Sequence, residues 1–383
     1  MFIKKLKLKN YRNYKEVEVI FDKNINIIYG NNAEGKTNLL ESIYMCSTSK
    51  SHRNSKESEI INFNENEAHI KLIFKKNNFE KDLSIDIQLN KEIKKGIAIN
   101  EIKIDKVSDF LGTFNVVLFA PEDLNIIKDG PQVRRKFLDI EICQSDKIYV
   151  NSISNYNKVL NQRNILLKDI SKEKGNNKND LLSLLDIYDE QIVNYGIEII
   201  EKRIKNIEKL AKIILEKHLQ ISDSKEKLII NYENDVLKEW FNIKENKPDT
   251  VKELYLGLIK ENREKDIKNQ YTNIGPHRDD IGFYIDRLDI RKFGSQGQKK
   301  TAAISLKLSE LEIIKEKIND IPVLLLDDVF SELDETRQKL LVNNLKGIQT
   351  IITCTGIKKN IFDLLKPEKV FNVKNNIIKE IKK

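Results

Sequence analysis

One stretch, residues 30–37, constrains the fold of this chain more than any other. It reads Gly30, Asn31, Asn32, Ala33, Glu34, Gly35, Lys36 and Thr37, which meets the spacing G-x-x-x-x-G-K-[ST] of a phosphate-binding loop. An apolar run at residues 25–29 precedes it, and a helical pattern at residues 38–45 follows it. In this arrangement backbone N–H groups and the positive end of the helix dipole face phosphate oxygens. The stretch therefore predicts a nucleoside triphosphate site.

Two side chains of this loop have separate predicted roles. Lys36 would reach the β- and γ-phosphates, and the Thr37 hydroxyl would ligate Mg²⁺. The glycines would let the backbone approach the phosphates closely.

Length and composition indicate a globular protein with two lobes. A chain of 383 residues is too long for a single core, and 40% hydrophobic with 33% charged residues is not the composition of a disordered chain. The net charge of +8 permits a nucleic-acid partner. It is equally consistent with solvated faces rich in lysine, because lysine is abundant throughout the chain.

Cysteine usage and hydropathy predict a cytoplasmic protein without a membrane segment. Cys46, Cys143 and Cys354 lie far apart and form no C-x-x-C pair, which argues against a disulfide framework or a zinc site. The N-terminus alternates too early for a signal peptide, and no run approaches the ~20 apolar residues of a membrane helix. The four scattered histidines are expected to be ordinary residues rather than metal ligands.

The N-terminal third alternates in the manner of β-strands. The predicted strands are residues 2–9, 17–21, 68–74, 83–89, 97–104 and 115–119. The turn at residues 10–14 would place Arg12 and Asn13 near the nucleotide if the first hairpin packs beside the loop strand. A plain surface turn is the other interpretation.

The middle of the chain is mainly helical. Residues 133–167 and 181–219 carry apolar residues at 3-4 spacing, with a predicted turn at residues 175–179. These helices are too short for a long rod, so their apolar stripes are interpreted as core. A polar segment, a short helix and a turn with its strand then follow at residues 222–249, 251–262 and 275–285.

The last hundred residues contain a second cluster of chemical interest. An apolar strand at residues 321–326 ends in Asp327 and Asp328, as in a Walker B motif. Asp327 would hold Mg²⁺ beside Thr37, and Asp328 would orient or deprotonate the water that attacks the γ-phosphate. A helix at 335–345 and a final strand at 349–355 would precede a short tail.

A serine–glycine pattern opens the helix predicted at residues 301–318. Ser295 can cap a helix, Gly297 permits close backbone approach, and Gln298 follows at once. The helix dipole there favours an anion, so this is a second phosphate-binding design.

These motifs together resemble the ABC-type ATPase heads of the SMC and RecF group. The resemblance to the RecF family covers nearly the whole chain and is carried by residues 119–124, 130–139, 275–280, 295–301 and 324–334. It implies an α/β fold: a P-loop ATPase head with a mixed sheet, helices, an antiparallel β subdomain and a helical insertion lobe. The implied division is 1–130 (Walker A half), 131–270 (helical lobe) and 271–383 (signature and Walker B half).

The resemblance also implies a function in DNA replication and repair. Family members bind ATP and single- and double-stranded DNA, and act at gaps and stalled forks with RecO and RecR to help load RecA. Their heads form a homodimer on ATP, and a weak ATPase resets it. The resemblance further implies that the nucleotide held by one copy's P-loop is contacted in trans by Ser295, Gly297 and Gln298 of the other copy. It also implies that Asp334 lies near the dimer interface.

Four positions depart from the pattern of related ATPases. Ala33 replaces a common glycine and should be tolerated if its φ is negative. Asp328 replaces a glutamate, so slow hydrolysis is expected, with faster turnover in Asp328→Glu. Residues 353–355 occupy the place of the transporter switch histidine, which leaves the γ-phosphate sensor open. The transporter glutamine has no clear counterpart, and Glu122 is only a positional candidate for it.

Alternatives remain open from the sequence. The main one is the ATPase subunit of an ABC-type transporter, which the helical insertion disfavours; an SMC-type head would need longer coiled coils. DNA contacts are not assigned, but charge and placement make six residues candidates: Lys5, Lys7, Lys9, Arg134, Arg135 and Lys136.

Overall fold

The computed structural model describes residues 1–53, 55–77, 79–173, 177–242, 250–356 and 359–381. The chain forms two compact units. The first comprises Met1–Leu124, Glu216–Glu226 and Lys300–Lys383, and the second comprises Asn125–Leu215 and Lys227–Lys299. Residues 271–299, predicted as part of the C-terminal half of the head, thus cluster with the second unit. No helix in the described ranges is long and apolar enough to cross a membrane.

The strands follow one another along the chain as β1 (Phe2–Tyr11), β2 (Tyr14–Ile20), β3 (Ile25–Tyr29), β4 (Glu67–Lys75), β5 (Leu83–Asn90), β6 (Gly96–Ile99), β7 (Ile102–Lys103), β8 (Val116–Phe119), β9 (Leu228–Glu233), β10 (Asp280–Ile285), β11 (Leu288–Asp289), β12 (Val323–Asp327), β13 (Thr350–Cys354), β14 (Lys369–Lys374) and β15 (Ile377–Glu380).

The α-helices are α1 (Lys36–Thr48), α2 (Glu57–Ile60), α3 (Val107–Phe110), α4 (Leu124–Lys128), α5 (Pro131–Cys143), α6 (Lys147–Lys172), α7 (Lys178–Ile221), α8 (Asp235–Asn242), α9 (Val251–Glu261), α10 (Arg263–Asn269), α11 (Ile290–Phe293), α12 (Gln296–Ile318), α13 (Glu335–Asn343) and α14 (Lys359–Leu365). Short 3-10 turns occupy Pro121–Asp123 and Val329–Glu332.

An antiparallel sheet of the first unit has the order β2-β1-β4-β5-β6-β7. Its strands alternate as predicted: Leu6 and Leu8 are buried, whereas Lys7 and Lys9 are exposed on the other face. The predicted strand at 97–104 is instead a hairpin. Its turn residues Asn100 and Glu101 have φ values of 50° and 69°, the left-handed pair that a tight two-residue hairpin requires.

The second sheet of this unit has the order β15-β14-β3-β13-β12-β8 and is parallel except for β15 at its edge. Its central strands are apolar and buried, with helices on its faces, as parallel sheets require. Because β3, β13, β12 and β8 run in one direction, the segments that follow them emerge at the same edge. That edge is where open α/β sheets bind ligands.

Three sequence predictions of secondary structure were wrong in detail, and a fourth is not tested. Cys354 ends β13, but β14 and β15 follow it where a short tail was expected. The polar segment 222–249 contains β9 and α8, and the helix at 133–167 breaks between Cys143 and Lys147. The turn at 175–179 falls partly on residues 175 and 176, which lie outside the described ranges.

The core of the second unit contains buried ion pairs. Arg203 is 1% exposed and donates to Asp139 at 2.8 Å, Asp279 at 3.1 Å and the Pro276 carbonyl at 2.7 Å. Buried Arg163 pairs similarly with Asp189 and Asp266 (both 2.7 Å). Buried charges persist only when they are paired in this way.

The turn at residues 275–280 packs into this polar core. The Tyr156 hydroxyl lies 2.6 Å from Nδ1 of His277, whose Nε2 lies 3.0 Å from the Thr272 carbonyl. Burial lowers the pKa of His277 to about 4, so the ring is neutral and bonded on both nitrogens. Gly275 has φ 134°, and a Cβ there would lie 2.3 Å from the Tyr255 hydroxyl. These residues are structural.

Candidate nucleotide-binding site

The glycine loop lies between β3 and α1, as predicted. Gly30 must be glycine because a Cβ would lie 2.3 Å from the Val373 carbonyl oxygen of β14. Gly35 has φ 103°, and a Cβ there would lie 2.5 Å from Nδ2 of Asn13. Both glycines therefore permit a close backbone approach that no other residue allows.

Lys36 lies at the centre of this loop. Its ammonium donates to the carbonyl oxygens of Gly30 (2.8 Å) and Asn31 (2.7 Å), and the residue is 7% exposed. The loop thus holds a buried positive charge beside the N-terminus of α1. This combination suits an anion.

The two predicted magnesium ligands are adjacent. The Thr37 hydroxyl donates to Oδ1 of Asp327 at 3.0 Å, and the Thr353 hydroxyl lies 2.6 Å from the same oxygen. Burial raises the pKa of Asp327, while the two hydroxyl donors oppose that shift. One hydroxyl and one carboxylate are the donors that Mg²⁺ takes from proteins when phosphates and waters complete its shell. The residues present fit the ion.

Asp328 follows directly in the left-handed conformation, with φ 50°. Its N–H lies 3.1 Å from both the carbonyl and the hydroxyl oxygen of Thr353, and its carbonyl accepts from the Ser331 hydroxyl. The Asp328 carboxylate and the Lys36 ammonium both act on the Cys354 thiol, whose pKa burial raises to about 12. Asp328 and Lys36 therefore both lie within electrostatic range of Cys354, at the end of β13.

Two side chains that sequence analysis left without a firm role lie within electrostatic range of Asp327. They are His52, whose ring packs edge-on against Tyr44, and Glu122, which follows β8. Burial lowers the pKa of His52, and among the described residues neither of its ring nitrogens has a hydrogen-bond partner. His52 was predicted to be ordinary, and no motif marked it.

Two turns brace the loop from outside. Asn13 donates to the Glu34 carbonyl and to the side chain of Asn376, and accepts from Asn38. The Asn375 N–H donates to the Glu34 carboxylate, which fixes the β14–β15 turn against the loop. The first hairpin therefore does pack beside the loop. The contribution of β14 and β15 was missed, because their short alternating runs carry no motif.

Arg12 lies in the same hairpin turn but points into the protein. It makes a two-point ion pair with buried Glu41, at 2.9 and 2.7 Å, and donates to Ser55. Glu41 also accepts from Tyr11 and Ser51. Arg12 thus holds the turn against α1.

Ala33 has φ 66°, so the condition under which the sequence analysis expected alanine to be tolerated, a negative φ, is not met. A left-handed alanine costs about 1–2 kcal/mol because its Cβ crowds the following carbonyl. Ala33→Gly should therefore stabilise the protein by about 1 kcal/mol and raise its melting temperature by a few degrees in thermal unfolding. Ala303→Gly in the interior of α12 is the control and should destabilise by a similar amount. If both variants destabilise, the left-handed assignment of Ala33 is wrong.

The serine–glycine motif belongs to the second unit and forms a capping box. The Gln298 N–H lies 3.1 Å from the Ser295 hydroxyl oxygen, and the Ser295 N–H donates to Oε1 of Gln298 at 2.9 Å. The helix begins at Gln296, five residues earlier than predicted. Ser295 is exposed, at the N-terminus of a 23-residue helix.

Not all of the residues predicted as DNA contacts are accessible to DNA. Arg134 is 3% exposed and pairs with Asp280, so it is not available to DNA. Arg135 donates to the Asp279 carbonyl. Lys5 and Lys7 lie on the solvent face of the antiparallel sheet, where both pair with Glu18.

Comparison with known proteins places this geometry in one family. The family model described as the RecF/RecN/SMC N terminal domain matches residues 2–379. The DNA replication and repair protein RecF of Agathobacter rectalis is 48% identical over 373 residues, covering 97% of each chain. A solved structure of the recombination mediator protein RecF with ATP, in the RecFOR pathway, is 37% identical with a TM-score of 0.89, covering 100% of this chain and 98% of that one.

More distant similarity shows the fold alone. An Smc head domain from Pyrococcus furiosus, bound to the C-terminal domain of ScpA, is 17% identical with a TM-score of 0.54 over 99% of this chain and 96% of that one. This agrees with the predicted ABC-type ATPase head. The near-full-length match to curated relatives is closer, and by it the chain belongs to the RecF family.

Proposed function

We propose that this protein binds ATP and DNA in replication and recombinational repair. The pairing of Thr37 with Asp327 carries the proposal, because it joins the glycine loop to the strand-end carboxylate in one phosphate and magnesium site. ATP would contact residues 30–37, with Lys36 at its β- and γ-phosphates. Bound Mg²⁺, held by Thr37 and Asp327, would neutralise charge on the phosphates.

ATP is proposed to act chiefly as a bridge between two copies of the chain. Ser295, Gly297 and Gln298 of one copy would close over the γ-phosphate held by the other. The exposed Ser295 at the start of a 23-residue helix supports this role, because the positive end of a helix dipole attracts an anion. Asp328 would then position the attacking water in a weak, DNA-stimulated ATPase that resets the dimer.

The partners are proposed from the family. The dimer would bind single- and double-stranded DNA at gaps and stalled forks and assist RecA loading with RecO and RecR. A similar solved protein belongs to a RecFOR pathway, which supports this assignment. The family match favours this function over the ATPase subunit of a transporter. Contacts to phosphates would make DNA affinity fall steeply with salt and depend little on sequence.

Sedimentation with DNA and ATP tests the dimer. The wild type should dimerise only with ATP. Lys36→Met should lose both ATP binding and dimerisation, whereas Ser295→Arg should bind ATP as a monomer because its bulk and the lost cap block the trans contact. Ser183→Arg, at an exposed helical serine of the second unit, is the matched control and should dimerise normally. A Ser295→Arg protein that still dimerises with ATP would rule out the trans signature.

A further inference from the structure

An exposed aromatic ring stands directly before the serine–glycine motif. Phe293 is 73% exposed and ends α11, two residues before Ser295. A single exposed apolar residue is ordinary by itself. The surroundings of Phe293 are not ordinary, because the turn that carries it is fixed from several sides.

Arg291 is the main anchor of this turn. Its guanidinium pairs with Glu233 (2.9 Å), Asp280 (2.8 Å) and Asp289 (2.9 Å), so three carboxylates hold one arginine. Its carbonyl accepts from Lys299 of the following helix at 3.1 Å. The backbone on both sides of Phe293 is thereby fixed within the second unit.

Two further features fix the turn that carries Phe293. Ile290, at the other end of α11, is 2% exposed and faces the core. Gly294 closes the turn with an N–H donated to the Ile290 carbonyl, and a Cβ at Gly294 would lie 2.7 Å from that oxygen. The protein therefore presents Phe293 outward from a rigid support.

We propose that Phe293 of one copy stacks on the base or ribose of the nucleotide held by the P-loop of the partner copy. This inference rests on the proposed trans role of Ser295. If Ser295 meets the γ-phosphate, the Cα of Phe293 lies at most about 7 Å from that of Ser295, so the exposed ring is within reach of the ribose and base of the same nucleotide. Aromatic rings on a fixed support bind bases by stacking. The two-ring face of a purine offers more atoms for van der Waals contact than the single ring of a pyrimidine. Phe293 is thus a specificity-determining residue for the bridging nucleotide.

The test measures ATP-dependent dimerisation of the full chain with duplex DNA. Phe293→Ala should weaken the dimer at least about tenfold, because a symmetric dimer loses two stacking contacts, while ATP binding to the dilute monomer is unchanged. Phe293→Trp should dimerise at least as well as the wild type. Phe63→Ala is the matched control, since Phe63 is 93% exposed in a loop of the first unit, and it should have no effect.

A comparison of ATP with CTP distinguishes stacking of Phe293 on the nucleotide from packing of Phe293 against the partner protein. In the wild type and in Phe63→Ala, ATP should promote the dimer more strongly than CTP, and Phe293→Ala should reduce that ratio. An unchanged dimer, or an unchanged ratio, in Phe293→Ala overturns the stacking proposal alone. Failure of the wild type to dimerise with ATP overturns the proposed function as well.

Discussion

Hydrolysis of ATP should fall at least about a hundredfold in Asp328→Asn, while ATP binding and dimerisation persist. The carboxylate is the group proposed to orient or deprotonate the attacking water, and loss of such a group removes about 10²–10⁴ in rate. Asparagine tolerates the left-handed φ of 50° as well as aspartate does. The backbone N–H that Asp328 donates to Thr353 is unaffected. Phosphate release, measured with DNA and saturating ATP, gives the rate.

The control for this substitution is Asp286→Asn. Asp286 is exposed, has the same φ of 50° and lies in the β10–β11 turn, so its replacement should leave hydrolysis unchanged. Sedimentation should show that the Asp328→Asn dimer outlasts the wild-type dimer. An Asp328→Asn protein that hydrolyses ATP at the wild-type rate would remove Asp328 from the catalytic role.

Asp328→Glu separately tests the prediction that hydrolysis is slow because the aspartate side chain is one methylene shorter than glutamate. The longer carboxylate should reach the water better and raise turnover, as the sequence suggested. The left-handed backbone disfavours glutamate there by up to about 1–2 kcal/mol, so the variant should also melt at a lower temperature. If turnover does not rise in a folded Asp328→Glu protein, the shorter side chain of Asp328 is not the cause of slow hydrolysis.

The site was predictable from sequence where local pattern decides structure. The loop at residues 30–37 and the acids at 327 and 328 each follow an apolar strand, and parallel strands deliver such segments to one edge. That rule alone predicts the observed contact of Thr37 with Asp327. Backbone torsion was not predictable in the same way, because φ at Ala33 depends on how the loop closes.

Long-range packing explains what the sequence could not show. Glu34 is held by Asn375, more than three hundred residues away, and no pattern near either residue signals the contact. Arg134 was a reasonable DNA candidate by charge, yet Asp280 pairs with it in the interior. Sequence alone predicts that a charged residue lies on the surface, because its buried partner is known only from the structure.

The motif runs at 130–139 and 275–280 carried much of the family resemblance, yet they meet in the core rather than at a ligand site. Arg203 joins them by pairing with Asp139 of the first run and Asp279 of the second. Arg203→Met should destabilise the second unit by about 3–5 kcal/mol, because it leaves Asp279, at 2% side-chain exposure, without its buried cation. Thermal unfolding should show a transition lowered by roughly 10 °C.

Arg278→Met supplies the comparison within the same motif. Arg278 is exposed and stacks on Tyr271, with 4.9 Å from its guanidinium carbon to the ring centroid, so its loss should cost about 1 kcal/mol or less. Tyr232 and Asn234 still donate to Asp279 in Arg203→Met, which sets the lower end of the expected range. Equal melting of the two variants would mean that the Arg203 cluster contributes no net stability. Motif residues at 275–280 would then need a functional explanation instead of a structural one.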